Sequence, residues 1–425
     1  MSSIQTGDPH ALGFSAARLA RVQRWLEAQV TSERVAGASV LVARHGEPVF
    51  AQATGKADVA HDKPFDLDTI VRLYSMTKAV TTVAAMMLYE EGCFHLDDPV
   101  AKFLPEFADT PVWTGGALSN VERQRTPMNV RHLMTHTSGL TYGFMQTNAV
   151  DAAYREARIE FPGTAATLAE LVERVAELPL VCQPGAQWNY SVSTDVLGRL
   201  VEVWSGQDLA TFFAERIFAP LGMVDTGFHV APDKHDRFAA LYAPLQGGDM
   251  SSVGRTQPAD DAAARGGLKE QESSVGSRFL EPTPLFSGGG GLTGTLADYG
   301  RFCQMLLNAG ASGDAQLLGR KTVEYMRTNQ LPDNRDMAAM GQPVWSETSY
   351  DGIGFGLGFA VVVDPVKAAI VTSGGEHHWG GAASTFFWID PVEDLYVVFL
   401  TQLIPSSTYP IRRELRTAVY QALVA

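Results

Sequence analysis

Strand-forming segments stand at both ends of this chain, and helical segments fill the space between them. Near the N-terminus, Gly37-Ala-Ser-Val-Leu-Val-Ala-Arg44 and Glu47-Pro-Val-Phe-Ala-Gln-Ala-Thr54 read as two strands joined at His45-Gly46, a hairpin. Near the C-terminus, Gly356–Asp364, Ala368–Ser373, Ala383–Asp390 and Leu395–Gln402 are rich in Val, Ile and Phe and separated by turn signals. Residues 15–30 carry Leu19, Val22, Trp25, Leu26 and Val30 on one side of a helix, and a closing helix is predicted from about Tyr409 to Leu423. From Ser75 to about Gln330 the pattern is helical, broken by loops rich in Pro and Gly. The two strand-rich ends must therefore meet. The fold class this predicts is α+β: an antiparallel sheet flanked by the N- and C-terminal helices, with a mainly helical domain inserted. With 425 residues available, residues 1–70 and 351–425 would form the sheet domain and 71–350 the helical one. Gln246–Phe279 and residues 329–350 have no periodicity and read as long loops, the kind that serve as flaps or stay disordered.

A net charge of -14 argues against nucleic acid or an anionic membrane as partner. Met1 to Leu12 lacks the charged and apolar regions of a secretory signal, and no apolar run approaches the ~18 residues that span a bilayer. Cys93, Cys182 and Cys303 are odd in number and far apart, as in a cytoplasmic protein with reduced thiols. A cytoplasmic location is expected.

Chemistry enters at Ser75-Met76-Thr77-Lys78. The residues that follow place Val80, Val83, Ala84, Met87 and Leu88 at helical spacing, and Glu90-Glu91-Gly92 supplies a stop with Gly92 as the left-handed cap. Residues three apart on a helix share a face, so Lys78 can set its amine beside the Ser75 hydroxyl. A serine needs a neighbouring base to act as a nucleophile. A lysine is that base only where burial or nearby positive charge favours its neutral form. Standing alone, S-x-x-K reads more readily as the start of an ordinary buried helix.

Two further segments bear on the same chemistry. Tyr190-Ser191-Val192 follows a Pro184-Gly185 turn and precedes a helical run, so Tyr190 is either a proton relay at the serine or a core tyrosine. His377-His378-Trp379-Gly380-Gly381-Ala382 leads into the strand Ala383–Asp390. Paired glycines at a strand start admit a close backbone or substrate, and an amide there could join the Ser75 amide in holding an oxyanion. The other reading is a plain glycine turn. His132 and His136 are four apart, but no Glu stands between them in the H-E-x-x-H manner, so no metal is predicted.

Taken in order, Ser75–Lys78, Tyr190-Ser191-Val192 and Trp379-Gly380-Gly381 resemble the serine β-lactamase and penicillin-binding-protein superfamily, in its class C-like branch. Arg131-His-Leu-Met-Thr-His-Thr-Ser-Gly-Leu140 and Gly288-Gly-Gly-Gly-Leu-Thr-Gly-Thr-Leu-Ala-Asp298 fit as well, so the resemblance runs from about residue 10 to the C-terminus. It implies a β-lactamase/transpeptidase-like fold. The departures decide the branch. The β-lactamase pattern has Tyr-x-Asn and Lys-Thr-Gly, where this chain has Tyr190-Ser191-Val192 and Trp379-Gly380-Gly381. Losing that lysine removes the charge that would fix a β-lactam carboxylate, and Trp379 puts an apolar wall in its place. Trp-Gly-Gly here is similar to the family VIII carboxylesterases. No G-x-S-x-G occurs, so an α/β-hydrolase nucleophile elbow is not available.

The resemblance implies a serine carboxylesterase acting on a small, short-chain neutral ester through an acyl-enzyme on Ser75. Lys78 would take the serine proton, and Tyr190 would act as acid to the leaving alcohol and base to the deacylating water. The main-chain amides of Ser75 and Ala382 would hold the oxyanion, and Trp379, Gly380, Gly381 and His378 would line the substrate pocket. No cofactor is implied, and the resemblance allows weak β-lactam hydrolysis as a side activity. Alternatives of the same lineage are a class C-like β-lactamase, a D-amino-acid peptidase, or a β-lactam-binding sensor that acylates once. The missing lysine argues against the first two, and the lack of a membrane segment against the third.

Overall fold

In β1 (Gly37–Arg44) every residue is buried, which requires cover on both faces of the sheet. Successive side chains of a strand point to opposite faces. Accordingly Val40 and Val42 enter one core while Leu41 and Ala43 enter another. The computed structural model describes residues 4–159, 165–246, 267–341 and 350–425. The other strands of the main sheet are β2 (Glu47–Asp58), β3 (Lys63–Pro64), β4 (Ile353–Phe355), β5 (Ala360–Val362), β6 (His377–Gly380), β7 (Phe386–Asp390) and β8 (Leu395–Thr401). They form one eight-stranded sheet in the order β4-β5-β6-β7-β8-β1-β2-β3, each neighbouring pair antiparallel. The first and last strand-rich regions join where β1 pairs with β8, with Val42 opposite Val397. His45 and Gly46 both take positive φ (54° and 80°) in the tight turn between β1 and β2.

The helices that matter to the site are α1 (Ala16–Thr31), α2 (Thr77–Glu90), α3 (Ser193–Ser205), α4 (Leu296–Leu307) and α5 (Ile411–Tyr420). Leu19, Val22 and Leu26 of α1 and Leu415 and Val419 of α5 cover Val40, Val397 and Phe399 on one face of the sheet. Trp25 and Arg34 both reach the Glu414 carboxylate, at 2.9 and 3.0 Å, and tie the two ends of the chain together. The opposite face receives α4. A Cβ on Gly300 would stand 2.6 Å from Leu41 Cδ2 and 3.4 Å from the Tyr396 hydroxyl, a measure of how closely this helix lies on the strands. α2 belongs to the same core and is buried continuously from Thr77 to Leu88, its Thr81 and Thr82 hydroxyls donating to the Gly288 and Lys78 carbonyls at 2.7 and 2.9 Å. Gly92 has φ 78° and the amides of Gly92 and Cys93 turn back to Tyr89 and Leu88, which ends the helix where expected.

Several local expectations are corrected. Gly356–Asp364 is not one strand; β4 and β5 form a hairpin around Gly356–Gly358. Ala368–Ser373 is not a strand at all, because Asp364 caps a short helical turn at Pro365–Ala368, its carboxylate accepting from the Val366 and Lys367 amides at 3.0 Å. The missing strand is β6, in the segment read as a turn. Of Gln246–Phe279, residues 247–266 lie outside the described residues, while Leu268–Glu272 pairs with Leu241–Pro244 as a strand. Of residues 329–350, 342–349 lie outside the described residues, and Met337–Met340 forms a helical turn. No helix among the described residues is long and apolar enough to cross a membrane.

Candidate active site

Ser75 sits in a 3-10 turn, Tyr74–Met76, that runs directly into α2. The turn is suspended from neighbouring backbone: the Leu73 amide donates to the Leu292 carbonyl at 2.9 Å, and the Tyr299 hydroxyl donates to the Met76 carbonyl at 2.9 Å. The Leu292 amide in turn donates to Thr77 Oγ1 at 3.1 Å. Tyr74, immediately before the serine, has φ 46°. A non-glycine residue in that region costs roughly 1–2 kcal/mol and persists only where its surroundings over-determine it.

The Ser75 hydroxyl is shared. Tyr190 OH lies 2.7 Å from Ser75 Oγ and Lys78 Nζ lies 3.3 Å from it. Lys78 is 1% exposed and spreads three contacts over Ser75 Oγ, the Tyr142 hydroxyl (3.0 Å) and the Gly289 carbonyl (2.7 Å). Its nitrogen also lies 4.7 Å from the centre of the Tyr190 ring. Among the described residues no ion pair reaches Lys78 Nζ. The Gly289 carbonyl is held in place from behind, since the Gly289 amide and Ser287 Oγ donate to Asp195 Oδ1 at 3.1 and 2.6 Å. Burial raises the Asp195 carboxyl above its usual range, against the pull of Lys78 and of these hydrogen bonds.

The third segment reaches the site through alternation in β6. His377 and Trp379 point to the face that carries α4 and α2, and Trp379 lies 5.5 Å from the Tyr190 ring and 5.3 Å from that of Phe355. A Cβ on Gly381 would stand 2.3 Å from the Leu73 carbonyl oxygen, so the end of β6 lies directly on the turn that bears Ser75. Thr385 Oγ1 bonds the same carbonyl at 3.3 Å. Ala382 follows in the tight turn closed by the Gly381 amide on the Thr385 carbonyl, 2.9 Å. Gly380 faces the other way, where a Cβ would meet Arg412 Nη2 at 2.4 Å.

His378 is not brought to Ser75. Being one residue from Trp379 in a strand, it points to the far face, where its Nδ1 lies 2.8 Å from Glu376 Oε1 and its ring packs on Phe386. Glu376 also accepts from Arg416 at 2.7 and 3.1 Å. His377 is enclosed beside Phe359, and burial pushes its pKa down to about 3. His132 serves in a reciprocal capping box with Asn129, its pKa lowered to about 4 by burial and by Arg131. His136 packs on the Tyr190 ring at 4.9 Å. Tyr142, Gly289, Asp195 and His136 are the neighbours that sequence reasoning did not place. Two lie inside motifs it had marked, Arg131–Leu140 and Gly288–Asp298, and Tyr142 stands two residues beyond the first.

A sheet between terminal helices, with a serine hydroxyl at the head of a buried helix and a lysine amine one turn on, is the architecture of the S-x-x-K acyl-transferring serine enzymes. The chain belongs to the β-lactamase family, whose model matches residues 22–421. It is 32% identical to Esterase EstB from Burkholderia gladioli, over 97% of this chain and 98% of that one. Among solved structures it resembles EstCE1, described as a hydrolase with promiscuous acyltransferase activity, with a TM-score of 0.76 and 31% identity over 95% of this chain and 99% of that one. It also resembles simvastatin synthase (LovD) from Aspergillus terreus, with a TM-score of 0.77 and 25% identity over 96% of this chain and 98% of that one.

Proposed function

We propose that this chain is a serine carboxylesterase that cleaves short-chain neutral esters through an acyl-enzyme on Ser75. The observation that carries the reading is the sharing of Ser75 Oγ between the Tyr190 hydroxyl and the Lys78 amine, 2.7 and 3.3 Å away. The esterase and hydrolase names of EstB and EstCE1 support it. An uncharged amine has two N–H groups and one lone pair. One N–H goes to the Gly289 carbonyl, which can only accept, and the lone pair is left for a hydroxyl proton.

The steps balance without a cofactor. Ser75 Oγ attacks the ester carbonyl carbon as its proton passes to Lys78, and the oxyanion rests on the Ser75 and Ala382 amides. Collapse expels the alkoxide, which takes the Tyr190 proton, and the Lys78 ammonium reprotonates the tyrosinate. Water then retraces the path in place of the alcohol. Because the two groups exchange one proton, the pH profile reports the pair and not either residue.

The substrate is tested by comparing p-nitrophenyl butyrate with a chromogenic cephalosporin, alongside a series of acyl-chain lengths. The butyrate ester is expected to have the higher kcat/KM, with a burst followed by steady turnover. Preference for the cephalosporin would make this a β-lactamase, and a lasting stoichiometric adduct without turnover would make it a sensor.

A further inference from the structure

The segment Arg131–Leu140 has no part in the steps above, yet its His136 encloses the tyrosine that does. The Asn189 amide donates to the His136 carbonyl at 2.8 Å, and His136 Nδ1 lies 3.2 Å from Ser191 Oγ. Tyr190, between those two residues, is thus gripped on both sides in sequence, and its ring rests 4.9 Å from the imidazole. The grip is itself anchored. Ser191 Oγ bonds Ser193 Oγ at 2.7 Å, Ser193 Oγ bonds Ser138 Oγ at 2.7 Å, and the Leu140 amide donates to Ser138 Oγ at 3.1 Å. Asn189 Nδ2 closes the same two loops on the Leu140 carbonyl at 2.8 Å.

His136 also holds an uncommon backbone conformation, φ 55°, while 1% exposed. Backbone strain of this kind at a buried residue is retained where the fold around it requires that geometry. The ring faces Tyr190, Ser191, Trp188 and Phe355. Burial favours the neutral imidazole, and Lys78 acts in the same direction whenever it carries the proton.

We propose that His136 is a positioning residue that keeps the Tyr190 hydroxyl on Ser75 Oγ by clasping Asn189 and Ser191. The proposal rests on the reading of Tyr190 as proton relay, and a double-mutant cycle separates the two. His136→Leu is expected to lower kcat about 10²-fold, the effect of a displacement near 1 Å, with KM changed by less than about threefold. In a Tyr190→Phe background the same change should cost less than about threefold, because the hydroxyl it positions is gone. His136→Asn, which tolerates positive φ and offers an amide to Ser191, should recover most of the activity. Should His136→Leu fail to fold, Ser191→Ala takes its place in the cycle, with the backbone at 136 untouched. Equal losses in both backgrounds, or no loss in the first, would overturn the proposal. A Tyr190→Phe enzyme as active as the parent would instead overturn the relay.

Discussion

Gly381→Ala tests whether β6 supplies half of an oxyanion site. Gly381 does not require positive φ, so alanine is allowed by the backbone and the test is one of space alone. The added Cβ would stand 2.2 Å from Thr385 Oγ1 and 2.3 Å from the Leu73 carbonyl oxygen. Thr385 can rotate away at the loss of its own bond to Leu73. The carbonyl has no such freedom, because the Met76 amide donates to it at 3.2 Å and the Leu73 amide is tied to Leu292. An ordinary carbon–oxygen contact needs about 1 Å more, so the end of β6 and the Ser75 turn must move apart by that amount. Displacing one oxyanion donor lowers kcat by about 10²–10³-fold, or roughly 3–4 kcal/mol of barrier. Overpacking should also destabilise the fold by about 1–3 kcal/mol. Burst kinetics on p-nitrophenyl butyrate measure the first effect and thermal denaturation the second. A Gly381→Ala enzyme with kcat within about threefold of the parent would refute the placement of Ala382 beside the oxyanion.

Ser75→Ala and Lys78→Ala should each abolish most ester turnover while leaving the circular dichroism spectrum unchanged; Ser75→Ala activity within about tenfold of the parent would point to another nucleophile. Tyr190→Phe should reduce kcat by about 10²–10⁴-fold, the range for loss of a positioned acid–base group, with fluorogenic esters giving the sensitivity to read it. Glu376→Gln should lower stability at pH 7 by about 3–5 kcal/mol, because it leaves Arg416 buried beside an uncharged partner. Burial pushes the Glu376 carboxyl up, but Arg416 and His378 together hold it far below the usual range. A carboxyl depressed in the folded state stabilises above its unfolded value and loses that contribution as pH falls. The gap between parent and variant should therefore close below about pH 4, as read by urea denaturation across pH. A gap that stays constant to pH 2 would show that this carboxylate is not the source.

The hairpin Gly37–Thr54 and the helix after Ser75 were legible because each carries its own period and its own stop, at His45-Gly46 and Gly92. β6 was not. It is four residues long and half of it is histidine, so nothing local marks it as a buried strand. His378 is tolerated inside because Glu376 and Arg416, 40 residues apart, meet beside it. Missing the strand also hid the alternation that sends His378 away from Ser75. Asp364-Pro365 shows the reverse error, a helix cap concealed in a run rich in valine. Ser75 and Lys78 could be paired from sequence because one helix turn joins them. Tyr142 and Gly289 meet Lys78 across 64 and 211 residues of chain, and no periodicity reports such a meeting.

The electrostatics of the pocket follow from the same contacts. The amine beside Ser75 is that of Lys78, and its hydrogen-bonding directions are already taken up by Ser75, Tyr142 and Gly289. An incoming carboxylate would find no free donor there. Beside Ser75 it would meet the rings of Tyr190, Trp379 and Phe355, which strip water without replacing it. A lysine 4 Å from that carboxylate would contribute about 4 kcal/mol of attraction at an effective dielectric near 20. With Trp379 in its place, the anion keeps its desolvation cost and loses the compensation. A neutral ester carries no such charge, and its apolar groups gain from the same rings. The exchange of one charge for one indole thus favours esters over β-lactams at Ser75.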